Sequence, residues 1–269
     1  MLIQILEQVL NGLLAGAYYL LIALGLTLIF SLGGLVNLAH GAFYALGAYF
    51  AVKLADALGF GGALVVSPLA VAVIGLVVER FLFRRFYRED PALGLLLTFG
   101  LAMVAEQALR WTFGAAPIPF SIPVELKGQI LVGDFIYSKY RLLMLAVAVC
   151  AVGGLWYLLR RTPFGRVVRA GVQNPDMVAA LGISLSPYMA SVVALAVALA
   201  ALAGVLLAPI TGVGSFWGVV WAALIVGVVR GLTVYFFPPA AEASMYLLMV
   251  LVLLFRPRGL FGERIQRFE

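Results

Sequence analysis

One run of five residues, Asn37-Leu38-Ala39-His40-Gly41, gathers the groups best able to handle a proton or a polar solute in an otherwise apolar sequence. It holds the chain's single histidine, and the Asn37 carboxamide, which can both donate and accept, stands three residues earlier. Apolar stretches flank it, Ile5 to Phe30 before and Ala42 to Leu58 after. An imidazole or carboxamide at membrane depth must find a partner inside the protein or border a wet path, so such groups are functional candidates. Gly33, Gly34 and Gly41 bracket the run, as expected where helices are interrupted. Two readings stay open from the residues alone: a polar lining for a translocation path, or a short cytoplasmic turn with His40 solvated.

Other chemistry is sparse. No Gly-x-x-x-x-Gly-Lys-Ser/Thr loop is present, so the chain does not bind ATP by that route. One histidine and one cysteine cannot supply a metal site of ordinary ligand count, and no nucleophile–base pair stands out, which points away from an enzyme. Cys150 lies in an apolar run and reads as a small buried hydrophobe; being alone, it excludes an intramolecular disulfide. Glu106 and Arg110 are spaced to pair on one helix face. Thr98, Gly100, Ala200, Ala203 and Gly204 suggest close helix packing. Arg230, near Trp221 and Tyr235, either snorkels to an interface or faces the protein interior.

The elements that must position these residues are membrane helices. Hydrophobic residues make up 64% of the chain and charged residues 11%, with a mean hydropathy of +1.11, whereas soluble domains carry about 25% charged residues. The expected fold is an all-α polytopic membrane protein, one transmembrane domain over residues 1–269. Its first apolar stretch is longer than a cleavable signal core and reads as a retained span. Taking about 20 apolar residues per span, eight hydrophobic helices are expected. Six are Ile5 to Phe30, Leu38 to Leu58, Ala63 to Phe83, Leu93 to Phe113, Leu142 to Leu159 and Tyr188 to Ile210. The last two share Phe216 to Phe255, which Pro238-Pro239 breaks. The second helix is expected to be interrupted beside Asn37 to His40.

Charge placement orients these helices. The net charge is +6, but twelve of the eighteen Lys and Arg residues fall in short clusters beside apolar runs: Arg80 to Arg88, Arg160 to Arg169, and Arg256 to Arg267. That pattern places the flanking loops in the cytoplasm and accounts for the charge without nucleic acid. Residues 112–140 then form an external segment, in which Ile130 to Phe135 can make a short hairpin or an interfacial lid. Residues 160–187 form a cytoplasmic loop. There Asn174 suits an N-cap, Pro175 the first helical position and Asp176 the positive helix end. A short helix over Pro175 to Leu181 should stop at Gly182. Such a helix is a socket for a soluble partner, or else lies on lipid. Eight crossings would leave the basic tail, residues 256–269, on the wrong face. The conflict resolves if a segment after Pro209 is re-entrant or missing, or if the tail is external.

The chain resembles the LivH-type permease subunit of branched-chain amino acid ABC importers. The likeness runs from Gly25-Leu26 through Asn37 to Tyr44 and Gly47-Ala48-Tyr49. It continues through Thr98 to Leu101 and Gly165-Arg166 to Gly182-Ile183, and closes with Leu254 to Gly262. The resemblance implies a multi-pass protein of the bacterial inner membrane. It pairs with a LivM-type permease subunit, two cytoplasmic ATPase subunits that hold ATP and Mg, and a periplasmic substrate-binding protein; this chain itself holds no cofactor. By position, Asn37, His40, Gly41, Tyr44 and Thr98 would line the translocation pathway. Gly165, Arg166, Asn174, Pro175, Asp176 and Gly182 would belong to the ATPase-coupling loop. The family pattern carries a further stretch after Pro209 that is absent here. Relatives of this kind handle amino acids, amides or urea. The rival expectations are a self-sufficient channel or ion-coupled carrier that titrates His40, and a transport-inactive shortened permease.

Overall fold

The computed structural model describes residues 2–87, 89–114, 118, 120–132, 135–211 and 233. The chain divides into two units, 1–214 and 215–269, and every element described below belongs to the first. Its helices are α1 (Leu2–Gly33), α2 (His40–Phe81), α3 (Pro91–Phe113), α4 (Lys139–Arg161), α5 (Pro163–Gln173), α6 (Pro175–Ala180) and α7 (Ser186–Thr211). Between α3 and α4 lies an antiparallel hairpin of β1 (Gln129–Val132) and β2 (Phe135–Ser138), in register from Gln129 opposite Ser138 to Val132 opposite Phe135. It falls where the external segment was expected to turn back on itself. Among the described residues, five helices are long and apolar enough to cross a membrane: α1, α2, α3, α4 and α7.

The second of these is long enough to cross twice. As a straight rod its 42 residues would run about 63 Å, twice the hydrocarbon thickness of a bilayer. Gly59 breaks it, with φ +67° and ψ 171°, a conformation that costs glycine little. On either side of the break, Gly47 abuts Ala201 and Gly75 abuts Val197, positions one helical turn apart on α7. Ala51 and Ala63 share one apolar cluster with Val205. The limbs therefore fold back on each other along α7, one ascending and one descending.

Among the described residues the expected eight helices are met only in part. Leu38 to Leu58 and Ala63 to Phe83 are two limbs of one element joined at Gly59, and the final pair lies outside the described residues. So do Arg230, the basic tail and all but the first residues after Pro209; α7 itself continues through Pro209 to Thr211.

Helix α7 is the axis of the unit. Ala196, Val197, Ala200, Ala201, Ala203 and Val205 are fully buried, and their small size lets backbones come together. A Cβ at Gly47 would collide with the backbone of Ala201, and one at Gly204 with the carbonyl of Tyr44. Helices without a hydrophobic drive between them associate through such van der Waals approach. One expectation fails here: Cys150 lies exposed on the surface of α4 rather than in the core. Among the described residues no atom lies within 4 Å of the missing Cβ of Gly100.

Candidate functional site: a buried helix break and an outlying helix pair

After α1 ends at Gly33, the backbone turns at Gly34 with φ +64° and climbs back into the bundle as an unwound stretch. Leu35 packs where a Cβ on Gly94 would sit, and the Val36 carbonyl accepts a hydrogen bond from Thr98 Oγ1 at 3.1 Å. His40 Nε2 then lies 3.1 Å from the Ile22 carbonyl oxygen, eleven residues back from the end of α1. At about 1.5 Å per residue, that is roughly 16 Å inside the helix end. Gly25 of α1 abuts both His40 and Ala196 of α7, which places the start of α2 near the middle of α7. The break is a re-entrant backbone at membrane depth, sheltered by α1, α3 and α7 as such backbone must be.

The polar groups here are sealed. Asn37 and His40 are 1% exposed, Thr98 is fully buried and Gly41 is buried; Tyr44 is half-buried. The reading of His40 as a solvated turn residue is therefore overturned. Asn37 Oδ1 accepts from Ala39 N at 3.0 Å, while Asn37 Nδ2 and His40 Nδ1 have no hydrogen-bond partner among the described residues. The structure brings Asn37, His40 and Thr98 to one junction of three helices.

A second assembly projects from one end of the bundle. Thr162 Oγ1 accepts from Gly165 N at 3.2 Å, and Pro163 takes the first position of α5. Asn174 Oδ1 accepts from Met177 N at 2.9 Å, Pro175 follows it, and Asp176 lies in the first turn of α6. The helix closes with Gly182 N bonded to the Ala179 carbonyl and Ile183 N to the Val178 carbonyl, Gly182 having φ +78°. That is the paired-bond C-terminal cap that glycine favours. Val178 anchors α6 inward, while Met177 is 59% and Leu181 72% exposed. Arg166 is exposed and Gly165 buried on α5, which packs Gly171 against Leu32 and Leu185. Arg84 and Arg85 lie in the short 3-10 turn Phe83–Arg85 that follows α2, and Arg160 and Arg161 end α4.

Residues 8–216 match the family model described as branched-chain amino acid transport system / permease component. The chain belongs to this permease family. It is similar to the high-affinity branched-chain amino acid transport system permease protein BraD of Pseudomonas aeruginosa, at 27% identity with 96% of each chain covered. The same identity and coverage relate it to the LivH permease protein of Escherichia coli K12. A probable LivH of Methanocaldococcus jannaschii is 28% identical over 70% of this chain and 61% of its own. No solved structure matches. The pairing with BraD spans 296 positions, more than the 269 residues of this permease, so the relative carries interior residues that this one lacks.

Sequence reasoning missed two features of this permease. Helix α5 was signalled by Thr162-Pro163, the same cap-and-proline start that revealed α6. Glu79 was overlooked because it reads as an ordinary end-of-span charge. It is 1% exposed, 3.7 Å from Arg84 Nε, and its Oε1 lacks a hydrogen bond. The expected pair of Glu106 and Arg110 is present at 2.7 Å. Tyr87, beside the same helix end, has a buried hydroxyl with no hydrogen bond among the described residues, and burial pushes its phenol well above the usual range.

Proposed function

We propose that this chain is the permease subunit of an ATP-driven importer that carries branched-chain amino acids across the bacterial inner membrane. The observation that carries the reading, beside the family match, is α6. A short helix, capped at both ends by its own sequence, holds Met177 and Leu181 out from the bundle where no residue of this unit covers them. An apolar knob on a rigid stub at the arginine-rich end suits a groove in a soluble partner. Two cytoplasmic ATPase subunits would supply the drive, with Gly165, Arg166, Asn174, Pro175, Asp176 and Gly182 shaping the contact. A LivM-type subunit and a periplasmic binding protein complete the assembly.

In this reading Asn37, His40, Gly41, Tyr44 and Thr98 border the path. Discontinuous helices near the bilayer midplane are where transporters place substrate groups and the motions that expose them, and the start of α2 is such a point. Closure at Asn37 and His40 corresponds to an occluded arrangement that α6 opens from below when its partner moves. Leucine uptake tests the proposal in cells lacking their own system and supplied with all partner chains. Uptake should depend on this subunit, and uptake that persists without it refutes the reading.

A second reading rests on the 296 positions of the paired stretch. The family match ends at residue 216, and a deletion just after Pro209 would leave a shortened permease that assembles without transporting. Co-purification of the ATPase with no leucine uptake would identify that state.

A further inference from the structure

At the end of the bundle opposite the arginine clusters, a cavity of about 420 Å³ opens between the start of α1, the hairpin, the start of α4 and the end of α7. It is about 35 Å from the α6 end, judged by the length of α7 from Ser186 to Pro209. Two opposite charges face into it, Glu7 and Arg141, and they make no ion pair with each other. Arg141 Nη1 instead donates to Asn11 Oδ1 at 2.8 Å, the same oxygen that accepts from Tyr137 OH at 3.3 Å. Asn11 thus holds the guanidinium while its other N–H groups remain able to donate. Tyr140, fully buried and bonded to the Leu206 carbonyl at 2.8 Å, fixes the floor. Ile122, Ile136, Pro209 and Ile210, with the polar Gln129 and Ser138, complete the wall.

We infer that this cavity is an outward-facing binding site for a zwitterionic aliphatic amino acid, with Arg141 receiving the carboxylate, Glu7 the ammonium and the isoleucine wall the side chain. A carboxylate and a guanidinium that share one cavity without neutralising each other match the two charges of such a ligand. Arg pairs with carboxylates through parallel N–H bonds. The volume lies within the range of about 300–1,000 Å³ usual for small-molecule sites. This deepens the importer reading and rests on it for the identity of the solute: the site would receive substrate released at the external face before the central path opens.

The test is equilibrium binding of labelled L-leucine to the purified complete complex in lipid nanodiscs, without the binding protein, alongside uptake in cells. Leucine should bind, and isopentylamine and 4-methylpentanoate, each lacking one charge, should compete at least tenfold less well. Glu7→Gln and Arg141→Gln should each weaken binding at least tenfold in complexes recovered at wild-type yield, and Arg141→Lys should keep part of it. Leucine uptake by the wild type, with binding unchanged in both variants, overturns the site and leaves the importer reading standing. Variants that bind leucine normally but lose uptake only when the binding protein is present also overturn it, and assign the cavity to protein docking. Variant-sensitive binding in a wild type that does not transport supports the site and overturns the importer reading. A wild type that neither binds nor transports leucine overturns both.

Discussion

His40 Nε2 donates a hydrogen bond to the carbonyl oxygen of Ile22, 3.1 Å away and eighteen residues earlier in the chain. A carbonyl can only accept, so Nε2 carries a proton. The bond ties the first turn of α2 to the middle of α1 across the unwound stretch. His40→Ala removes both the bond and a fully buried ring, and should cost about 2–4 kcal/mol. His40→Gln, whose amide can still donate, should cost less. Thermal unfolding of the purified complex would rank the two, and equal midpoints would contradict the role given to this bond.

Glycines on the α7 contact separate sharply from those elsewhere. Gly47→Ala sets a Cβ against the Ala201 backbone, which cannot move aside as a side chain can, so the helices must part. A loss of about 1–3 kcal/mol is expected, the usual range for overpacking. Gly12→Ala meets nothing within 4 Å and should be neutral or gain up to about 1 kcal/mol in helix propensity. Membrane yield and melting midpoint of the two variants check the contrast.

The α6 caps are expected to matter more for coupling than for the stability of the bundle. Asn174→Ala removes the acceptor for Met177 N and should cost the helix about 1 kcal/mol. Gly182→Ala forces a side chain into a φ of +78° and should cost a similar amount. Both variants should keep the wild-type melting midpoint of the subunit while lowering substrate-stimulated ATP hydrolysis severalfold in the assembled complex. Unaltered stimulation would remove α6 from the coupling contact.

Glu79 and Arg84 should respond unequally. The carboxylate is 1% exposed and the arginine side chain 42%, so Arg84→Gln strips the nearest cation from a sealed charge. Glu79→Gln removes that charge altogether. The first should destabilise by about 1–2 kcal/mol, held to that size by the solvent around Arg84. The second should be close to neutral, and the double variant should recover most of the loss. A double-mutant cycle on unfolding midpoints reads the difference.

Local chemistry accounts for what could be read without coordinates. The run of apolar residues requires membrane helices, Asn174-Pro175-Asp176 with Gly182 requires a short capped helix, and the spacing of Glu106 and Arg110 permits their pair; each depends on neighbours within about one turn. The expected orientation rests on equally local features, the arginine clusters beside apolar runs, because positive loops resist translocation.

Tertiary packing decided the rest. Hydropathy could place Asn37 and His40 between two spans but could not tell a solvated turn from a sealed one. Their depth is set by Ile22, by Thr98 sixty-two residues away from Val36, and by Ala196 on α7. Nor could it show that the limbs about Gly59 close on a single helix, since that follows from Ala201 and Val197 being small enough to admit both. Glu7 and Arg141 lie 134 positions apart in the sequence, and neither is notable alone. They face one cavity because α1 and α4 pack side by side, with Asn11 of α1 holding Arg141 of α4, a relation of surfaces that no spacing along the chain encodes.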